Sequence, residues 1–186
     1  FVRAETDLVC HDERLIGPES FCREIRYGPV KNTVYNLLLT GGNCLSTSAV
    51  VVKKSALLEV GLFEEDPEIV SAEDYDLWLR ITMREEVLYV DEPLTIKHGG
   101  HQDQLSNKYW GMDRYRIKAL EGILKQKQIS KDQKIATQEM LVRKLKILIK
   151  GAIKRNNLEI IKLYSSKLES WGNITPHHKQ FNSPRF

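Results

Sequence analysis

The stretch from Ser71 to Arg80, SAEDYDLWLR, constrains this chain more than any other. Tyr75, Trp78, Leu79 and Thr82 recur on one helical face and Leu77 and Ile81 on the adjoining one, so the predicted helix is apolar around much of its girth. Such a helix belongs inside a domain. Its mouth has the opposite character, because Glu73, Asp74 and Asp76 set three carboxylates on the first turn. Two readings fit these acids. Ser71 followed three residues later by Asp74 matches a capping box, in which acids only satisfy backbone donors and complement the helix dipole. Acids held at the end of a buried helix also suit proton transfer. Asp76 and Arg80, four apart with the acid first, predict an ion pair worth about 0.3 to 0.5 kcal/mol if exposed.

Composition narrows the classes. With 186 residues, 41% of them hydrophobic, the chain can bury a sizeable core as one domain or a domain with an appendage. Twenty-eight bases against 25 acids give a net charge of +3, too mild to imply a nucleic-acid binder. The acids are dense over 59–92 and the bases over 131–155. Cys10, Cys22 and Cys44 form no C-x-x-C pair, so neither a disulfide framework nor a zinc site is signalled, and a reducing cytoplasm is the default. No run approaches the roughly twenty apolar residues that span a bilayer, and no signal-peptide pattern opens the chain. Phe1 leads directly into a strand-like segment, so the natural protein or its domain is expected to begin earlier.

In order, Thr6 to Cys10 reads as a strand, His11 to Ser20 as a polar loop, and Phe21 to Tyr35 as a long surface loop with room for a short helix. Tyr35 to Leu39 is an apolar run ending at Thr40-Gly41-Gly42-Asn43, a turn or a close approach to ligand. Ser46 to Val52 is rich in β-branched residues and predicts a strand. Lys53 to Val60 predicts a short helix stopped by Gly61. Beyond the acidic helix, Val87 to Val90 and Leu94 to Lys97 predict two strands around an Asp91-Glu92-Pro93 turn, followed by the polar loop KHGGHQDQLS. Three helical segments complete the chain: Asn107 to Gln126, capped by Ser106 or Asn107; one starting at Ser130, with Met140, Leu141, Leu145, Leu148 and Ala152 as its apolar stripe; and Leu158 to Leu168. A tail from about Ser170 lacks pattern and is expected to be disordered. The fold class expected is α/β, in three parts: a mixed-sheet domain over 1–106, a helical appendage over 107–170 and a tail over 171–186.

Four segments in a fixed order carry a family resemblance. NCLSTSAVVVKKSALLEVGLFEE, then SAEDYDLWLR, then a strand pair, then HGGHQDQLS, resembles the acceptor-side half of a family 2 glycosyltransferase of the GT-A fold, a Rossmann-like mixed sheet. Gly61, Phe63 and Glu64 match that family's G-x-F-[DE] segment. Glu73, Asp74, Asp76, Leu77, Trp78 and Arg80 match its E-D-x-D-L-W-x-R helix, and His101 with Ser106 match its later His before a polar loop. The likeness covers roughly Thr40 to Leu120, and the ordered set is more specific than any one motif.

The resemblance implies inverting transfer of a sugar from a nucleotide-sugar donor to an acceptor hydroxyl. By position, Asp74 would be the general base and Glu73 its supporting acid, while Asn43 and Trp110 are the candidate substrate contacts. It also implies a divalent Mg²⁺ or Mn²⁺ to offset charge on the departing diphosphate, with His101 a candidate ligand. The donor-binding half and its D-x-D motif are expected to lie before Phe1, or on a partner chain if the enzyme is split. Asp74-Tyr75-Asp76 has the D-x-D spelling but opens a helix instead of closing an apolar strand, so it is rejected as that motif. The rival expectation is a non-catalytic interaction module that binds a partner chain, or peripherally a membrane surface, through its C-terminal helices. The basic helix over 131–155 is ordinarily just a solvated face, and contact with anionic lipid is the sharper alternative.

Overall fold

The computed structural model describes residues 8–16, 22–25, 35, 38, 39, 43, 45–98 and 111–172. Strands β1 (Leu8–Ile16), β2 (Cys22–Ile25), β3 (Val50–Val52) and β4 (Val87–His98) combine with helices α1 (Lys54–Val60), α2 (Glu73–Thr82), α3 (Asp113–Ile123), α4 (Lys131–Lys154) and α5 (Leu158–Trp171). The class is mixed α/β, as expected.

β1 is the strand to which the others attach. β3 pairs antiparallel with its first residues, from Leu8↔Val52 to Cys10↔Val50, and β2 antiparallel with its last, from Glu13↔Ile25 to Ile16↔Cys22. β4 runs parallel along its whole length, so the small four-stranded sheet is mixed. Several expectations are corrected here. His11 to Ile16 continues the strand that was expected to end at Cys10, and Cys22–Ile25, placed in a long loop, is a strand. Neither segment alternates cleanly in hydrophobicity. Their pairing to neighbouring backbone, which periodicity does not register, is what makes them strands.

The two strands expected around Asp91-Glu92-Pro93 are one strand. His11 pairs with Val90, Asp12 with Pro93 and Glu13 with Thr95, so the extra residues of β4 form a bulged irregularity instead of a turn. Proline has no N–H for a ladder, and a bulge is where a strand tolerates it. The strand expected over Ser46 to Val52 is shortened to Val50–Val52, with a 3-10 turn at Thr47–Ala49 before it. Ser46 and Ser48 bond through their hydroxyls at 2.9 Å, an example of short polar side chains competing with strand formation.

α1 ends where expected. Gly61 adopts φ 90°, a left-handed conformation open to glycine, and Leu62 N–H donates back to Leu57 O at 2.9 Å. α2 is the buried helix that the sequence requires: every residue from Tyr75 to Thr82 is buried, and Trp78, a core residue, is 1% exposed. α3 packs on α2, α4 on α3 and α5 on α4. Ser130 and Gln133 close a full capping box at the start of α4, and Gln133 Nε2 reaches Met83 O at 3.0 Å, tying α4 to the end of α2.

The stripe Met140, Leu141, Leu145, Leu148 and Ala152 is buried as predicted. Asn157 caps α5, which runs to Trp171 and therefore past the position where the tail was expected to begin. Tyr35, Leu38 and Leu39 are helical and buried, and they join a hydrophobic cluster that runs from Leu8 on β1 through α2 and α3 to Leu148 on α4. Tyr35 and Thr137 are joined by a hydroxyl hydrogen bond. Thr137 Oγ1 donates its own proton to Gln133 O at 2.7 Å, so the Tyr35 phenol is the donor. Burial pushes that phenol up to about 12.

Candidate functional site

The mouth of α2 is not closed by a capping box. Ala72 is the N-cap, without a side-chain cap, and Ser71 lies one position earlier at φ 68°. Its hydroxyl is buried and finds no hydrogen-bond partner among the described residues. Ser71 does not fill the role its spacing suggested, so the acids of the first turn are not accounted for by a reciprocal cap.

Asp74 instead faces the segment before β3. Asn43 Nδ2 donates to Asp74 Oδ2 at 2.6 Å, and Tyr75 N–H donates to Asp74 Oδ1 at 2.6 Å. Asn43 Oδ1 in turn accepts from Leu45 N at 3.4 Å, which orients its amide toward the helix. Two of the sequence-identified residues, 31 positions apart, are thus in direct contact. A carboxylate has about four lone-pair sites, so each Asp74 oxygen keeps capacity for another donor.

Burial raises the Asp74 carboxyl above its ordinary value, and the charge of adjacent Glu73 adds to the rise. The Tyr75 N–H, the Asn43 amide and the charge of Arg116 oppose it without cancelling it. Glu73 Oε2 is buried and has no hydrogen-bond partner among the described residues. The arrangement is a half-buried carboxyl, held by an amide, more ready to keep a proton than an exposed aspartate.

Arg116, on α3, was not singled out by the sequence. Its guanidinium lies 5.9 Å from the centre of the Tyr75 ring, and its Nη1 is 3.4 Å from Asp113 Oδ1, which Lys144 Nζ of α4 also approaches at 2.9 Å. The available signal was the i,i+3 spacing of Asp113 and Arg116 at the head of a helix. Only packing places that head beside Asp74.

Asp76 has a separate task. Arg80 Nε donates to Asp76 Oδ2 at 2.8 Å, Arg80 Nη2 to Leu62 O at 2.7 Å, and Arg80 Nη1 to Val60 O. The predicted pair exists, but it is buried and clamps the C-terminal cap of α1 to α2. Burial raises Asp76 in spite of the lowering by Arg80. A cavity of about 170 Å³ lies beside this clamp, lined by Asp66, Asp76, Arg80 and Glu121 among others. A second, of about 340 Å³, lies between α3 and α5, lined by Glu68, Arg114, Tyr115, Lys118 and Tyr164 among others. Asp74 is not among the described residues lining either cavity.

His101 and Trp110 lie outside the described residues, as do Gly41, Gly42, Ser106 and 173–186. Among the described residues no group of three His, Cys, Asp or Glu side chains could hold a metal ion. Asp74 and Asp76 are directed to different partners, Asn43 and Arg80, and do not converge on a common ion. No protein-family model, curated protein or solved structure matches the chain.

Proposed function

We propose that this chain is the acceptor-side half of an inverting glycosyltransferase of the family 2 type, with a GT-A-like sheet and Asp74 as general base. The observation that carries the reading is the Asn43–Asp74 contact at 2.6 Å, at the head of a buried helix, on a carboxyl that burial raises. A hydroxyl is a poor nucleophile at neutral pH, and a positioned carboxylate answers that need. In the proposed step the acceptor oxygen forms a bond to the anomeric carbon and its proton passes to Asp74. The bond from that carbon to the nucleotide diphosphate breaks, and its electron pair leaves with the diphosphate. Glu73 supports by keeping negative charge beside the base, and Asn43 fixes the carboxylate plane. Asp74 can do this only when ionised, so its raised pKa sets the lower limit of the working pH.

The family resemblance implies Mg²⁺ or Mn²⁺. The described residues do not supply a fitting ligand set, so no step is assigned to a metal. The test is transfer of labelled sugar from a panel of nucleotide sugars to hydroxyl acceptors, with the chain alone and with a donor-binding half joined to it. The expected product has inverted anomeric configuration. Retained configuration, or no transfer with any donor in either form, contradicts the reading.

A further inference from the structure

The segment from Met140 to Leu158 contains six bases, Arg143, Lys144, Lys146, Lys150, Lys154 and Arg155, and no acid. Lys144 turns inward to Asp113 at 2.9 Å. Arg143, Lys146, Lys150 and Lys154 are exposed, and between them stand Ile147, 50% exposed, and Ile153, 56% exposed. At 100° per residue these six side chains fall within roughly a third of the helix circumference, opposite Leu141, Leu145, Leu148 and Ala152. α4 therefore has a second amphipathic face, pointing to solvent, in which apolar side chains are set among bases.

We infer that this face of α4 is a docking surface for an anionic phospholipid bilayer, with the helix lying in the plane of the interface. The inference stands apart from the glycosyltransferase reading. Charge decides among the occupants. A second copy presenting the same face would set bases against bases, since the nearest acids, Glu139 and Glu159, lie outside the segment. Nucleic acid would answer the bases but leave the two isoleucines in water. A bilayer interface answers both, with anionic headgroups for the bases and the acyl boundary for the isoleucines. Contact in the plane also fits the helix composition: no described helix is long and apolar enough to cross a membrane.

The full chain is sedimented with vesicles of phosphatidylcholine alone and of phosphatidylcholine mixed with phosphatidylglycerol. Binding to the mixed vesicles is expected, weakening with salt. Each base removed should weaken it roughly fivefold, so Lys146→Gln with Lys150→Gln loses roughly 25-fold. Glutamine matches lysine in helix propensity, and circular dichroism confirms that the fold survives. Ile147→Ser with Ile153→Ser should also weaken binding, whereas Lys54→Gln with Lys127→Gln, an equal charge change elsewhere, should leave it within about twofold of the parent if the stripe carries the contact. The inference is overturned if the chain does not bind, if neutral vesicles bind as well, or if stripe and control variants behave alike. Binding of polyuridylate in place of vesicles, lost in the same stripe variants, also overturns it in favour of nucleic acid.

Discussion

Asn43 Nδ2 and Asp74 Oδ2 are 2.6 Å apart, and this amide is the side chain that steadies the carboxylate at the head of α2. Its bond lowers the Asp74 pKa, while burial, the larger effect, raises it. Asn43→Ala should therefore move the carboxyl still higher, read by carbon NMR titration of the side chain. An unchanged or lowered Asp74 pKa would mean that the contact does not form in solution.

The same raised carboxyl makes stability depend on pH. Well below 3.8, its ordinary value, Asp74 is protonated in the folded and unfolded chains alike and contributes nothing. As pH rises through that value the unfolded chain releases its proton first, and the folded chain holds it up to the raised pKa. Native stability falls across that interval and stays lower above it. Asp74→Asn should gain on the parent in denaturant titrations as pH rises from about 4, reaching a constant offset once pH passes the raised pKa of Asp74. An offset of the opposite sign, or one independent of pH, contradicts the assignment.

Ser71 holds φ 68° and buries a hydroxyl that has no hydrogen-bond partner among the described residues, so it costs stability where a capping serine would contribute. Ser71→Gly is expected to be neutral or to raise stability by up to about 1 kcal/mol. A loss of about 1 kcal/mol, the usual result of removing an N-cap, would restore the capping box.

Arg80 neutralises buried Asp76 and satisfies two carbonyls at the end of α1. Arg80→Met should cost about 3 to 5 kcal/mol at neutral pH, because an unpaired carboxylate stays buried. The loss should shrink in acid, where Asp76 is protonated, and Asp76→Asn combined with Arg80→Met should recover part of it. A loss under about 1 kcal/mol, as for an exposed pair, would contradict the clamp.

Tyr35 and Thr137 differ in what each leaves behind. Tyr35→Phe removes a donor from Thr137, whose own proton stays bonded to Gln133 O, and should cost about 1 kcal/mol. Thr137→Val strands a buried phenol and should cost about 1 to 3 kcal/mol. A larger loss for Tyr35→Phe than for Thr137→Val in thermal denaturation would place the hydrogen-bond direction the other way.

Residue patterning carried the helices well and the sheet poorly. The apolar girth of α2, the stripe of α4, the Gly61 stop and the Asp76–Arg80 pair were all legible because each depends on spacing within one element. His11 to Ile16 and Cys22–Ile25 were not, since their strand state rests on partners elsewhere in the chain. The Asp91-Glu92-Pro93 signal was real, but backbone pairing on both sides turned it into a bulge. At the site, Glu73 and Asp74 stood out as acids at a helix mouth. Arg116 did not, because its position beside Tyr75 follows from how α3 packs on α2, and a charged residue on a helix gives no sign of that.

The most direct test of Asp74 as general base is the ratio of kcat/KM for sugar transfer between the parent and Asp74→Asn, measured in the form of the enzyme that transfers. Asparagine keeps the shape and, through its one oxygen, the bond accepted from Asn43 at the expense of that from Tyr75 N–H, while removing the proton acceptor. The expected loss is at least about 100-fold, mostly in kcat, with the acid limb of the parent's pH profile at the raised pKa of Asp74. A rate within a few fold of the parent, with the acid limb unmoved, would contradict it.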